Sequence, residues 1–126
     1  MVYTKNGRLR GYESIHGHHI VMKEGGGTYG QLARDILDEY DIKLFATKEE
    51  LYLATSDELD NMSMAINGWR RIHSHDYAEA VYNRLNTAVQ DGLQLNESTE
   101  LISERVKESL QVMRDILHSG NIFWTE

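Results

Sequence analysis

Two eight-residue stretches of the chain echo each other. Gly11-Tyr12-Glu13-Ser14-Ile15-His16-Gly17-His18 and Gly68-Trp69-Arg70-Arg71-Ile72-His73-Ser74-His75 share a glycine, an aromatic, an isoleucine and a His-x-His pair at identical spacing. Four of the six histidines therefore sit in two such pairs. Imidazole is the commonest metal ligand and the side chain that titrates closest to neutrality. Residues i and i+2 of a strand share a face, so extended backbone lets His16 and His18 chelate one ion, whereas a turn at His16-Gly17 separates them. His73 and His75 precede a helix that Ser74 or Asp76 would cap, where the helix dipole keeps imidazoles neutral, as ligands must be. Asp76 adds an oxygen donor. By ligand type, His16, His18, His73, His75 and Asp76 suit Zn, Mn or Fe, and such a divalent metal is the one cofactor the sequence suggests. The competing reading makes these turn and cap histidines, solvated or bonded to backbone.

A second cluster is Gly25-Gly26-Gly27-Thr28-Tyr29-Gly30, which satisfies G-x-G-x-x-G between an expected strand and an expected helix. Glycines at the start of a helix expose N–H groups to an anion, and the helix dipole assists. Gly26, Gly27, Thr28 and Gly30 are the candidate perch for a phosphate, carboxylate or nucleotide-like anion. A dinucleotide fold needs parallel strands joined by crossover helices, and the strands expected here form an antiparallel meander. The alternative is a plain linker.

A third is the apolar run Ile122-Phe123-Trp124 near the end of the chain. Three consecutive large apolar side chains need burial, either on the protein's own core or on a partner. With Leu110, Met113 and Leu117 of the preceding helix, whose positions 102, 106, 109, 113 and 116 follow a heptad-like spacing weakened by Ser109, they form a candidate interface for self-association or a protein partner.

The elements that must position these groups read as follows. Asn6-Gly7 predicts a hairpin, because a type I′ turn needs positive φ at both central residues. His16-Gly17 predicts a second turn, joining residues 11–15 to 18–24, with His19-Ile20-Val21-Met22 as an at least half-buried strand. Thr28 is the predicted cap of a helix that places Leu32, Ile36, Leu37 and Tyr40 on one face. Residues 42–46 alternate as a strand does. Leu51 to Thr55 would pair with them, unless the capping box Thr47-x-x-Glu50 opens a short helix instead. From Ser56 onward the pattern is helical. Leu59, Met62, Ile66 and Trp69 form one stripe; Tyr77, Val81, Leu85 and Ala88 form another, stopped by Gly92. Ile102, Val106, Leu110, Met113 and Leu117 lie on a last helix that starts near Ser98 and ends before Gly120, a natural left-handed cap. The expected class is α+β in one domain: a strand-rich part over 1–55 with one helix, a helical part over 56–120 and an apolar tail over 121–126.

A chain of 126 residues with 40% hydrophobic and 26% charged residues can bury a core of its own. No apolar run is long enough to span a membrane. The absence of cysteine excludes disulfides and thiolate chemistry, and no apolar leader opens the chain, so a cytoplasmic protein, of a cell or of an infected host cell, is expected. The formal net charge of −7 argues against direct nucleic-acid binding, which rests on clustered Lys and Arg. Together these features favour a small acidic, non-enzymatic regulator that masks or bridges another macromolecule, as a virus-encoded inhibitor does. A small His/Asp metal-dependent hydrolase and a binder of nucleotide-like anions are the alternatives.

Overall fold

The structure, a computed structural model, describes residues 2–63 and 74–124. It is an α+β fold in which short antiparallel strand pairs precede most of the helical mass.

The chain opens with the expected hairpin, though its loop is longer than a two-residue turn. Thr4 N–H donates to the Arg8 carbonyl at 2.8 Å and Gly7 N–H to the Thr4 carbonyl at 3.0 Å, with Gly7 at φ +75°. That geometry is the three-residue loop ending on a left-handed glycine. Strand β1 (Arg8–Leu9) then pairs with β2 (Tyr12–His16), placing Leu9 opposite Tyr12 and Arg8 opposite His16, so β2 bulges between them.

No turn forms at His16-Gly17. Strand β3 (His18–His19) leaves β2 and pairs instead with β4 (Met62–Ser63), His18 opposite Ser63 and His19 opposite Met62. Gly17 serves close approach: a Cβ there would lie 2.8 Å from the Tyr3 ring. Ile20 and Val21 follow as fully buried residues outside any strand, so the strand expected over His19–Met22 is shorter than the apolar run.

Helix α1 (Gly27–Glu39) is capped by Gly26 rather than Thr28. Its buried face is Ala33, Ile36 and Leu37, with Tyr40 just beyond; Leu32 faces out, against expectation. Residues 42–46 form no strand. The capping alternative prevails at Thr47, whose hydroxyl accepts from Glu50 N–H at 3.1 Å and opens α2 (Lys48–Leu53). Residues 56–63 are not continuous helix either: a 3₁₀ turn (Ser56–Glu58) leads into β4. Ile66 and Trp69, expected on one stripe with Met62, lie outside the described residues.

Helix α3 (His75–Gln94) is capped by Ser74, and α4 (Thr99–His118) by Ser98. Gly92 does not stop α3; it lies inside the helix because a Cβ would sit 2.6 Å from Ile102 of α4. Gly120 adopts φ +84°, and Asn121 N–H closes the helix end on the Ile116 carbonyl at 3.2 Å. Helix α3 packs between α1 and α4 around the main core. A smaller cluster of Tyr3, Phe45, Leu51, Ala54 and Met62 lies beneath the hairpin.

The expected interface is largely interior. Leu110, Met113 and Leu117 are buried in the main core, and Trp124 joins them, its ring edge-on to Tyr77 at 5.0 Å. Phe123 packs beside both, under the Arg84 guanidinium. Ile122 alone of the set stays exposed. The apolar stripe of α4 and the tail are thus consumed by this chain's own helices.

Candidate active site

The chemistry gathers around His19. Its strand is followed by Ile20 and Val21, and both are held by one fully buried asparagine. Asn61 accepts Ile20 N–H on its backbone carbonyl at 2.8 Å and Val21 N–H on Oδ1 at 2.7 Å. Its Nδ2 donates to the carbonyls of Val21 at 3.1 Å and Leu44 at 3.3 Å. Arg114 of α4 fastens the same loop by donating to the carbonyls of Leu59, Asp60 and Met62. The histidine strand, the loop before β4 and the segment before Phe45 are thereby tied at one point.

Phe45 supplies the next link. Its carbonyl lies 2.6 Å from His19 Nε2. A carbonyl only accepts, so Nε2 carries the proton and Nδ1 is left with the lone pair. Phe45 holds this position at φ +61°, a region that costs a bulky side chain about 1–3 kcal/mol. Its buried ring, packed among Tyr3, Leu51 and Met62, offsets that strain. Burial pushes the His19 pKa below its ordinary value; the Phe45 carbonyl opposes the shift and the nearby Lys23 charge adds to it. His19 is therefore a neutral imidazole with one defined basic nitrogen, the form a general base requires.

His19 lines a cleft of about 790 Å³ between the hairpin, β3 and the start of α2. Arg8, Lys23 and Lys48 also line it, with His16, and no carboxylate does so among the described lining residues. In a chain of net charge −7 that is a local reversal of sign. Cations around a neutral imidazole suit an anionic substrate such as a phosphodiester.

The residues expected to hold a metal are brought together only in part. The rings of His16 and His18 lie 6.3 Å apart at the centroid, tilted by 46°. At nitrogen–metal distances of about 2 Å an ion could touch both only with the rings nearly opposed across it. His75 opens α3 and lies against Gly27, where a Cβ would be 3.1 Å from its ring, and Asp76 is exposed in the first turn. His73 lies outside the described residues. Among the described residues no three His, Asp or Glu side chains are grouped to hold an ion.

The glycine-rich helix start is closely packed. Gly26 abuts Met22, Ala78 and Gly30, and a Cβ on Gly30 would collide with the Gly25 carbonyl. Gly30 N–H is spent on the Gly26 carbonyl at 3.0 Å, and Arg34 grips the Met22 and Gly25 carbonyls. Thr28 is exposed. These glycines let the chain fold back tightly onto α1 and α3.

Sequence reasoning paired His18 with His16 and passed over His19. The missed signal is adjacency: His18-His19 is the chain's only pair of neighbouring histidines, and over residues 2–23 around it Lys5, Arg8, Arg10 and Lys23 face the single acid Glu13. Comparison with protein families bears on that pair directly. The model of the AHH family, a nuclease family of the HNH/ENDO VII superfamily with conserved AHH, matches residues 3–117. No curated protein and no solved structure matches the chain. The match spans most of the chain, which belongs to the AHH family; the tripeptide Gly17-His18-His19 differs from AHH only in its first residue. This membership overturns the reading as a non-enzymatic regulator or inhibitor, and it conflicts with the expectation that nucleic acid is not a partner. Net charge averages over the whole surface, whereas the cleft beside His19 is lined by Arg8, Lys23 and Lys48. No helix among the described residues is long and apolar enough to cross a membrane.

Proposed function

We propose that this member of the AHH family hydrolyses phosphodiester bonds in nucleic acid, with His19 as the general base. Water donates a proton to His19 Nδ1 as its oxygen attacks phosphorus; the P–O bond to the leaving sugar oxygen breaks, and that oxygen takes a proton from solvent. Arg8, Lys23 and Lys48 balance the charge that builds on the phosphoryl oxygens. The observation that carries the reading is the His19–Phe45 hydrogen bond within a cleft lined by cations. Fixing the tautomer before substrate arrives removes a reorganisation step from the reaction.

A divalent cation belongs to the same proposal in a limited way. His16 and His18 are the described residues that would hold it, and no third described ligand stands with them. When bound, such an ion polarises a phosphoryl oxygen and acidifies water. Metal content of the purified protein, compared with His18→Ala, tests it.

The nuclease assay uses single- and double-stranded DNA and RNA in buffers containing Mg²⁺, Mn²⁺ or Zn²⁺. His19→Ala should lower the cleavage rate by about 10²–10⁴-fold, the usual contribution of a positioned base. A variant that cleaves at the wild-type rate removes His19 from the mechanism.

A further inference from the structure

Hydrolysis at His19 leaves the outer part of the hairpin unused. Tyr12, the first residue of β2, exposes 65% of its surface, more than any other large apolar side chain among the described residues. Strand β2 ends on His16 in the cleft, so at about 3.3 Å per residue Tyr12 lies within about 13 Å of it. The bulge between the two re-aims side chains, as bulges beside active sites do. Charge is segregated here as well. Residues 2–23 contain Lys5, Arg8, Arg10 and Lys23 against the single acid Glu13, although acids outnumber bases over the whole chain by 20 to 13. Lys5 lies over the Tyr52 ring at 5.6 Å, placing a second aromatic in the same basic region.

We infer that the substrate is an unpaired nucleic-acid strand and that Tyr12 determines this specificity by stacking on a base a few nucleotides from the scissile phosphate. The inference rests on the nuclease reading and names its substrate class. In a duplex both faces of each base are covered by neighbours, so an aromatic platform rewards only strands whose bases are free. The cleft's volume of about 790 Å³ falls in the range that encloses a drug-sized ligand, room for a nucleotide or two. Base stacking is indifferent to the sugar, so unpaired DNA and RNA both qualify.

Binding is read by fluorescence anisotropy in the His19→Ala background, where cleavage does not interfere. The probes are a short labelled oligothymidylate, an oligouridylate, and the oligothymidylate annealed to oligoadenylate. Adding Tyr12→Ala should weaken binding of at least one single strand about five- to tenfold, and Tyr12→Trp should restore it. The melting temperature should not move, because the ring is exposed. Affinity for both single strands left unchanged by Tyr12→Ala, or tighter binding of the duplex than of either strand, overturns the inference. The nuclease reading fails by a different result, wild-type cleavage by His19→Ala.

Discussion

The side chain of Asn61 hydrogen-bonds both backbone groups of Val21: Oδ1 accepts from its N–H at 2.7 Å and Nδ2 donates to its carbonyl at 3.1 Å. The same Nδ2 reaches the Leu44 carbonyl, one residue before the carbonyl that orients His19. One buried amide therefore sets the distance between the His19 strand and the carbonyl that fixes the tautomer of that histidine. Asn61→Ala strands the buried Val21 N–H, at about 1–3 kcal/mol for each unpaired group. The expected loss in urea denaturation is about 2–4 kcal/mol, with kcat reduced at least tenfold at temperatures where the variant stays folded.

The pH dependence follows from His19. Its folded-state pKa is lowered, so at acid pH the unfolded chain binds the proton more readily than the folded one. The associated stability is complete above the unfolded value near 6.5 and is lost as pH falls through the folded pKa. kcat/KM should likewise fall on the acid side with an apparent pKa below 6.5. His19→Ala should flatten the acid decline in melting temperature; an unchanged decline would assign it to other groups.

Lys48 tests the electrostatics of the cleft. It lines the cleft from α2 and faces Gly7 of the hairpin at 3.8 Å from an added Cβ. Lys48→Glu should raise KM for nucleic acid and lower the slope of log affinity against log salt by about 1. Stability should change by less than about 0.5 kcal/mol, because the side chain is exposed.

Gly92 sets helix propensity against packing. Alanine would favour the helix by about 1 kcal/mol, but its Cβ would meet Ile102 at 2.6 Å and Glu97 at 3.1 Å. Ile102 is buried in the main core. Overpacking of this kind costs about 1–3 kcal/mol, so Gly92→Ala should melt earlier, as differential scanning calorimetry would show.

Trp124 is interior, and its Nε1 is buried with no hydrogen-bond partner among the described residues. Trp124→Ala should cost about 3–5 kcal/mol. Trp124→Phe removes the unsatisfied N–H and should cost much less. A light-scattering mass that stays constant across both variants would agree with a tail spent on its own core.

The sequence by itself determined the local elements whose signals are local. Ser98 and Ser74 cap their helices and Gly120 ends α4, because capping is settled within four residues of backbone. The stripe Ile102, Val106, Leu110, Met113 and Leu117 had to be buried because helical periodicity gives it one apolar face. Tertiary structure decided everything that depends on distant partners. His18 and His19 pair with a strand more than forty residues away, so neither the absence of a turn at His16-Gly17 nor the partner of His19 could be read from neighbours. The Phe45 carbonyl faces His19 only because Asn61 ties Leu44 to Val21 and the second core holds the Phe45 ring at positive φ. The charge of the cleft is likewise a property of which surfaces meet. Folding brings Arg8, Lys23 and Lys48 to one cleft of a chain whose composition is acidic, and the proposed recognition of phosphate would depend on that local field rather than on the sum.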